Sequence, residues 1–205
     1  MHLLKSTLLL AVGSLMGLAA FAEPQAQQPP PSAAAQGVRP TPPPRRSPHE
    51  VVTGMIGDRR TGTRVMVVYG RPFSKDSRSG ETRKIWGTLV PYGKVWRMGA
   101  DEATLLLTPK PLTFGQVTVP AGACTMFLLP AEDGTAKLIL NKQILQWGLQ
   151  YDEQQDIGRV DMKKEALEPP VDQFTIAVEN NPAGGGVLKL MWENTQYSVP
   201  FTVQQ

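Results

Sequence analysis

From about residue 63 onward, apolar residues recur at every other position. Val65, Val67 and Tyr69 alternate with Arg64, Met66 and Val68, and Val117 and Val119 alternate with Gln116 and Thr118. Phe174, Ile176 and Val178 alternate with Thr175 and Ala177, and Leu188, Leu190 and Trp192 with Lys189 and Met191. The last such run sets Tyr197, Val199, Phe201 and Val203 against Gln196, Ser198, Pro200 and Thr202. Successive side chains of a strand point to opposite faces, so this period of two predicts strands with one buried face. Cys124–Leu129 and Leu138–Leu140 are apolar on both faces, which predicts central strands.

Turn chemistry falls between these runs. Asp133-Gly134 predicts a tight hairpin joining Cys124–Leu129 to Lys137–Asn141, and Asn180–Gly186 a longer loop. Pro200 has no N–H to donate, so the last strand is expected at an edge or with a bulge there. Helical periodicity is scarce, limited to a short turn over Gln143–Gln150 that Gly148 weakens. Many short strands with regular turns predict an all-β domain, an antiparallel β-sandwich or jelly roll, with a closed β-barrel as the alternative.

The N-terminus follows other rules. Lys5 precedes an apolar stretch from Leu8 to Ala20, and Ala20-Phe21-Ala22 supplies an A-x-A cleavage site. Residues 1–22 therefore read as a signal peptide cut after Ala22, which implies a periplasmic or secreted protein with no membrane span once it is removed. The apolar stretch falls short of the ~20 residues a spanning helix needs. Residues 23–48 hold nine of the 19 prolines, including Pro29-Pro30-Pro31 and Pro42-Pro43-Pro44, and read as an extended, disordered tether. Residues 49–205 form the single domain, long enough to bury a core without disulfides.

Charge and inventory narrow the chemistry. Twenty-one Lys and Arg against 18 Asp and Glu give +3, with no basic stripe interleaved with aromatics, so nucleic acid is not an expected partner. The one cysteine, Cys124, lies in an apolar strand and is expected to be an inert buried thiol. Of the two histidines, His2 lies in the leader and His49 at the linker boundary, a flexible edge. Catalytic triads and zinc sites built on His or Cys are therefore not expected, and neither is any cofactor or metal. No G-x-S-x-G turn is present.

The most individual residues occur as YGRP at 69–72, IWGTLVPYGKVWRMGADEAT at 85–104, VPAGACTMFLLP at 119–130, LNKQILQWGLQYD at 140–152 and LMWE at 190–193. In this order they resemble an exported bacterial family, that of the domain of unknown function 2911, over nearly all of 48–205. The resemblance implies export and one β-rich domain, and it carries no activity. Asp101 stands where that pattern usually has Asn, and Cys124 near a usual Tyr.

What remains for function is carboxylates, arginines and tryptophans. Trp192 shares a face with Leu188 and Leu190 and is expected in the core. Trp96 and Arg97 point opposite ways in extended backbone, so one buries while the other reaches out. Trp147 and Tyr151, four apart on the possible turn, form the candidate exposed aromatic pair. The expected site is a loop end carrying Arg71, Trp96, Arg97, Asp101 and Glu102, with Trp147 and Tyr151. There the arginines would grip an anionic or hydroxyl group, the carboxylates would accept hydroxyl hydrogen bonds, and Trp96 would supply apolar stacking. The expected function is non-enzymatic binding of a glycan or cell-envelope component. The alternatives are a His-independent glycan hydrolase using Asp101 with Glu102, or Glu102 with Asp156, and a structural envelope protein tethered through its linker.

Overall fold

The structure, a computed structural model, describes residues 47–204. The expected leader and most of the expected linker lie outside the described residues. The strands are β1 (His49–Ile56), β2 (Thr63–Gly70), β3 (Thr104–Thr108), β4 (Leu112–Phe114), β5 (Val117–Val119), β6 (Gly122–Pro130), β7 (Ala136–Asn141), β8 (Asp156–Asn180) and β9 (Gly186–Val203). They form one open antiparallel sheet in the order β1-β2-β3-β6-β7-β8-β9-β4-β5. Its outermost strands, β1 and β5, do not pair, so it is not a closed barrel. The predicted turn over Gln143–Gln150 is not helical, and the described residues contain only a single 3-10 turn, Glu153–Gln155.

Two long strands turn this sheet into two facing layers. Asp156–Met162 of β8 pairs with β7, whereas from Lys163 onward β8 pairs with β9. The face carrying Val65, Val67 and Tyr69 then meets the face carrying Phe174, Ile176 and Val178, and all six side chains are buried. Tyr69 Oη accepts a hydrogen bond from the Ile176 backbone N–H at 2.9 Å, joining the layers at their centre. The layers also close on a glycine. A Cβ on Gly54 of β1 would stand 2.5 Å from both Cγ1 and the carbonyl oxygen of Val178.

The strands read as apolar on both faces are central, as expected, and the reason is visible. Met126, Leu128, Leu138 and Leu140 face the main core, while Phe127 and Ile139 face outward into a small second core with Ala103, covered by Val95 and Tyr151. The hairpin at Asp133-Gly134 forms as predicted between Pro130 and Ala136. Pro200 is exposed and lies between the stretch of β9 paired with β8, up to Ser198, and the stretch paired with β4, from Thr202. The missing donor thus falls where β9 exchanges partners, although β9 is not an edge strand.

Replacing Gly54 with Ala puts a methyl group into a backbone carbonyl rather than a yielding side chain. Gly54→Ala is expected to lower the unfolding free energy by about 1–3 kcal/mol, measured by urea denaturation. An unchanged midpoint would mean that the layers do not meet at this position.

Candidate functional site

The 85–104 segment is held by its own tryptophans. Trp96 exchanges two backbone hydrogen bonds with Leu128 of β6, both 2.8 Å, which places its ring between the layers. There it stacks on Trp192, with centroids 5.7 Å apart and planes 19° apart, and meets Phe174 edge-on at 5.0 Å and Trp86 at 6.3 Å. Trp96 is 9% exposed, so most of the ring is core and only an edge reaches the surface. The chain then doubles back. Thr104 Oγ1 donates to the Met98 carbonyl at 2.6 Å, Ala100 N–H to Gly70 O at 3.2 Å, and Gly148 N–H to Asp101 O at 3.0 Å.

Beside this loop lies a cleft of about 290 Å³, lined among others by Phe73, Lys75, Trp96, Arg97, Asp101 and Trp192. Arg97 takes the direction opposite to Trp96 and is half-buried along the cleft wall. Its Nε is buried and finds no hydrogen-bond acceptor among the described residues. Burial lowers its pKa, partly opposed by the charge of Asp101. Gly148 makes room for it, because a Cβ there would lie 2.0 Å from Arg97 Cδ. Arg83, also on the cleft, is engaged by the Phe73 and Ser74 carbonyls.

His49 stands outside the flexible boundary assigned to it from sequence. It is the first residue of β1 and pairs with Gly70 of β2, and the adjoining Pro48 carbonyl accepts from Arg71 N–H at 2.8 Å. Its Nε2 lies 3.2 Å from Asp101 Oδ2 and 3.5 Å from Glu102 Oε2. Histidine chemistry was discounted on the premise of a mobile imidazole, and that premise is corrected here. The available signal was the inward alternation of Val52 and Ile56, which extends back through Glu50 and makes His49 a strand residue.

The remaining expected site residues fall elsewhere. Arg71 spends its guanidinium on the protein itself. Nε donates to the Phe174 carbonyl at 3.1 Å, one terminal nitrogen to Thr175 Oγ1 at 2.8 Å, and the other pairs with Glu50. It pins β2 to β8 and does not line the cleft. Tyr151 packs on Phe127 and donates to Asp156 Oδ2 at 2.7 Å. Asp156 also accepts from Asn141 at 2.8 Å and from Arg159, which reaches Glu153 as well. Trp147 is 46% exposed and its backbone bridges to Glu102, so it does not pair with Tyr151 as a helical turn would have arranged. The structure thus brings together Trp96, Arg97, Asp101 and Glu102, adds His49, Phe73 and Lys75, and sends Arg71 and Tyr151 to structural posts.

The family model for proteins of unknown function (DUF2911) matches residues 47–201. The chain belongs to that family. No curated protein and no solved structure matches it.

Burial, followed by the hydrogen bond to Asp156, pushes the Tyr151 hydroxyl up to about 12, and burial does the same to Tyr197. An unfolded tyrosine loses its proton near its ordinary value of 10. The stability these groups contribute is therefore fully present below about pH 10 and is lost as pH rises through about 12. Alkaline unfolding followed by tyrosine absorbance should show late ionisation of these side chains. Tyr151→Phe should flatten the fall in stability across that window.

Proposed function

We propose that this DUF2911 member is an exported binding protein. Its leader is removed after Ala22, and its cleft takes an anionic, hydroxyl-bearing ligand, a glycan or cell-envelope component, without chemical change. The observation that carries this reading is Arg97, a half-buried cation in an aromatic-edged cleft whose Nε has no acceptor among the described residues. A buried donor left unmade costs ~1–3 kcal/mol, and a carboxylate or sulfate that drew the half-buried guanidinium toward the cleft would form charge-assisted hydrogen bonds with it. Lys75 adds a second, exposed cation, and the edges of Trp96 and Phe73 offer apolar contact to a ring.

Hydrolysis gains no comparable support. Asp156 is taken up by Asn141, Tyr151 and Arg159. Asp101 and Glu102 are sequence neighbours that converge on His49 instead of facing each other across a gap. The structural reading does have an observation in its favour. Leu145 and Leu149 are 79% and 73% exposed, with Ile144 and Trp147 beside them on one loop.

Two measurements follow. Isothermal titration with an oligogalacturonate and with the matching neutral oligosaccharide should show preference for the acidic chain. Arg97→Ala should weaken that binding by about 10- to 100-fold, the value of a charge-assisted hydrogen bond. Gly148→Ala, which displaces Arg97 without removing its charge, should act in the same direction. Unchanged affinity in both variants would remove the cleft from consideration. For the loop, Leu145→Ser with Leu149→Ser should abolish any self-association seen by analytical ultracentrifugation if this surface docks a second copy. Retained association would assign it to another face.

A further inference from the structure

We infer that His49, Asp101 and Glu102 form a binding site for a divalent transition-metal ion, best matched by Zn²⁺. One ligand atom from each of the three side chains lies within 4.8 Å of the other two. The donor set is one imidazole nitrogen and two carboxylate oxygens, a combination zinc accepts readily.

The separations fit ligands that share one ion, and they also fit the hydrogen bond that His49 makes with Asp101. Zinc holds nitrogen and oxygen ligands at about 2.0–2.2 Å, so neighbouring corners of its tetrahedron stand roughly 3.3–3.6 Å apart. The imidazole Nε2 lies 3.2 Å from one carboxylate oxygen and 3.5 Å from the other. Mg²⁺ and Ca²⁺ prefer all-oxygen ligand sets, whereas an imidazole nitrogen among the donors suits a transition metal.

The donors are brought together by backbone, and they come from separate parts of the sequence. His49 is fixed by its pairing with Gly70. The Gly70 carbonyl in turn accepts from Ala100 N–H, immediately before Asp101, and a Cβ on Gly70 would lie 2.3 Å from the Ala100 carbonyl. The strand bearing the imidazole and the loop bearing the carboxylates therefore approach across a residue that must lack a side chain. Glu102 is held from the other side by its bridge to Trp147. Asp101 borders the Arg97 cleft, whereas His49 and Glu102 border a neighbouring cavity of about 330 Å³ with Tyr69 and Leu145. Three protein ligands leave a fourth corner for water or a ligand oxygen, the arrangement of zinc sites that exchange ligands.

The test needs only the metal, so its outcome is independent of the acidic-ligand reading. Tag-free full-length protein is titrated calorimetrically with Zn²⁺, with Mg²⁺ and Ca²⁺ as controls, and with Co²⁺ while visible absorption is recorded. The site predicts one Zn²⁺ per chain, the visible spectrum of four-coordinate Co²⁺, and no comparable binding of Mg²⁺ or Ca²⁺. The chain has only two histidines, His2 and His49, so the His49 imidazole nitrogens can be followed by NMR and should shift on Zn²⁺ addition. His49→Ala and Glu102→Gln should each lower affinity by more than the roughly 10–100-fold that loss of an outer-shell partner costs. Three results overturn the site: no Zn²⁺ binding by the wild type, a His49 signal indifferent to Zn²⁺, or affinity unchanged by both substitutions. The triad would then be an imidazolium–carboxylate ion pair only.

Discussion

The stacking of Trp96 on Trp192 is the contact on which the site depends. Trp192 belongs to β9, on one layer, and Trp96 is bonded through its backbone to β6, on the other. Their rings, with Phe174, Trp86 and Tyr197, form a run of edge and face contacts between the layers. Aromatic pairs of this kind contribute ~0.5–1.5 kcal/mol each beyond the area they bury. With Trp96 anchored, extended backbone sends the next side chain the other way, and Arg97 reaches the cleft. The turn that follows returns the chain to Thr104 and leaves Asp101 and Glu102 beside β1.

Three glycines act through the absence of a side chain. Gly54 lets the layers meet at Val178, Gly70 lets the 96–104 loop lie against β2, and Gly148 leaves room for Arg97. Each is a place where a methyl group would meet backbone or a confined stem. The packing of a β-rich domain is set by such contacts as much as by its large side chains.

The fold was legible because period two is a local property. Val65, Val67 and Tyr69 bury by alternation alone, and the two-faced patterns of β6 and β7 announced central strands. What could not be read was which turn covers the outer side of Phe127 and Ile139, since Tyr151 reaches them from a loop with no periodicity. The same limit governs the site. His49 and Asp101 are 52 residues apart, and their meeting depends on β1 pairing with β2 and on the loop folding over Gly70. Alternation in β1 was weak because Gly54 occupies one of its inward positions, so His49 looked like the end of a tether.

The clearest lesson concerns two arginines that sequence reasoning placed side by side. Arg71 has donors placed on a carbonyl, a hydroxyl and a carboxylate, all belonging to the fold. Removing it would leave the Glu50 carboxylate without its ion pair and uncouple β2 from β8. Arg97 is desolvated enough for burial to lower its pKa, and its Nε has no acceptor among the described residues. A side chain kept for stability alone would do better as an apolar residue of similar volume, since a half-buried cation with an unmade bond costs free energy. Packing alone therefore accounts for Arg71 and fails to account for Arg97. The difference between them is hydrogen-bond satisfaction, a property that residue type and spacing do not reveal.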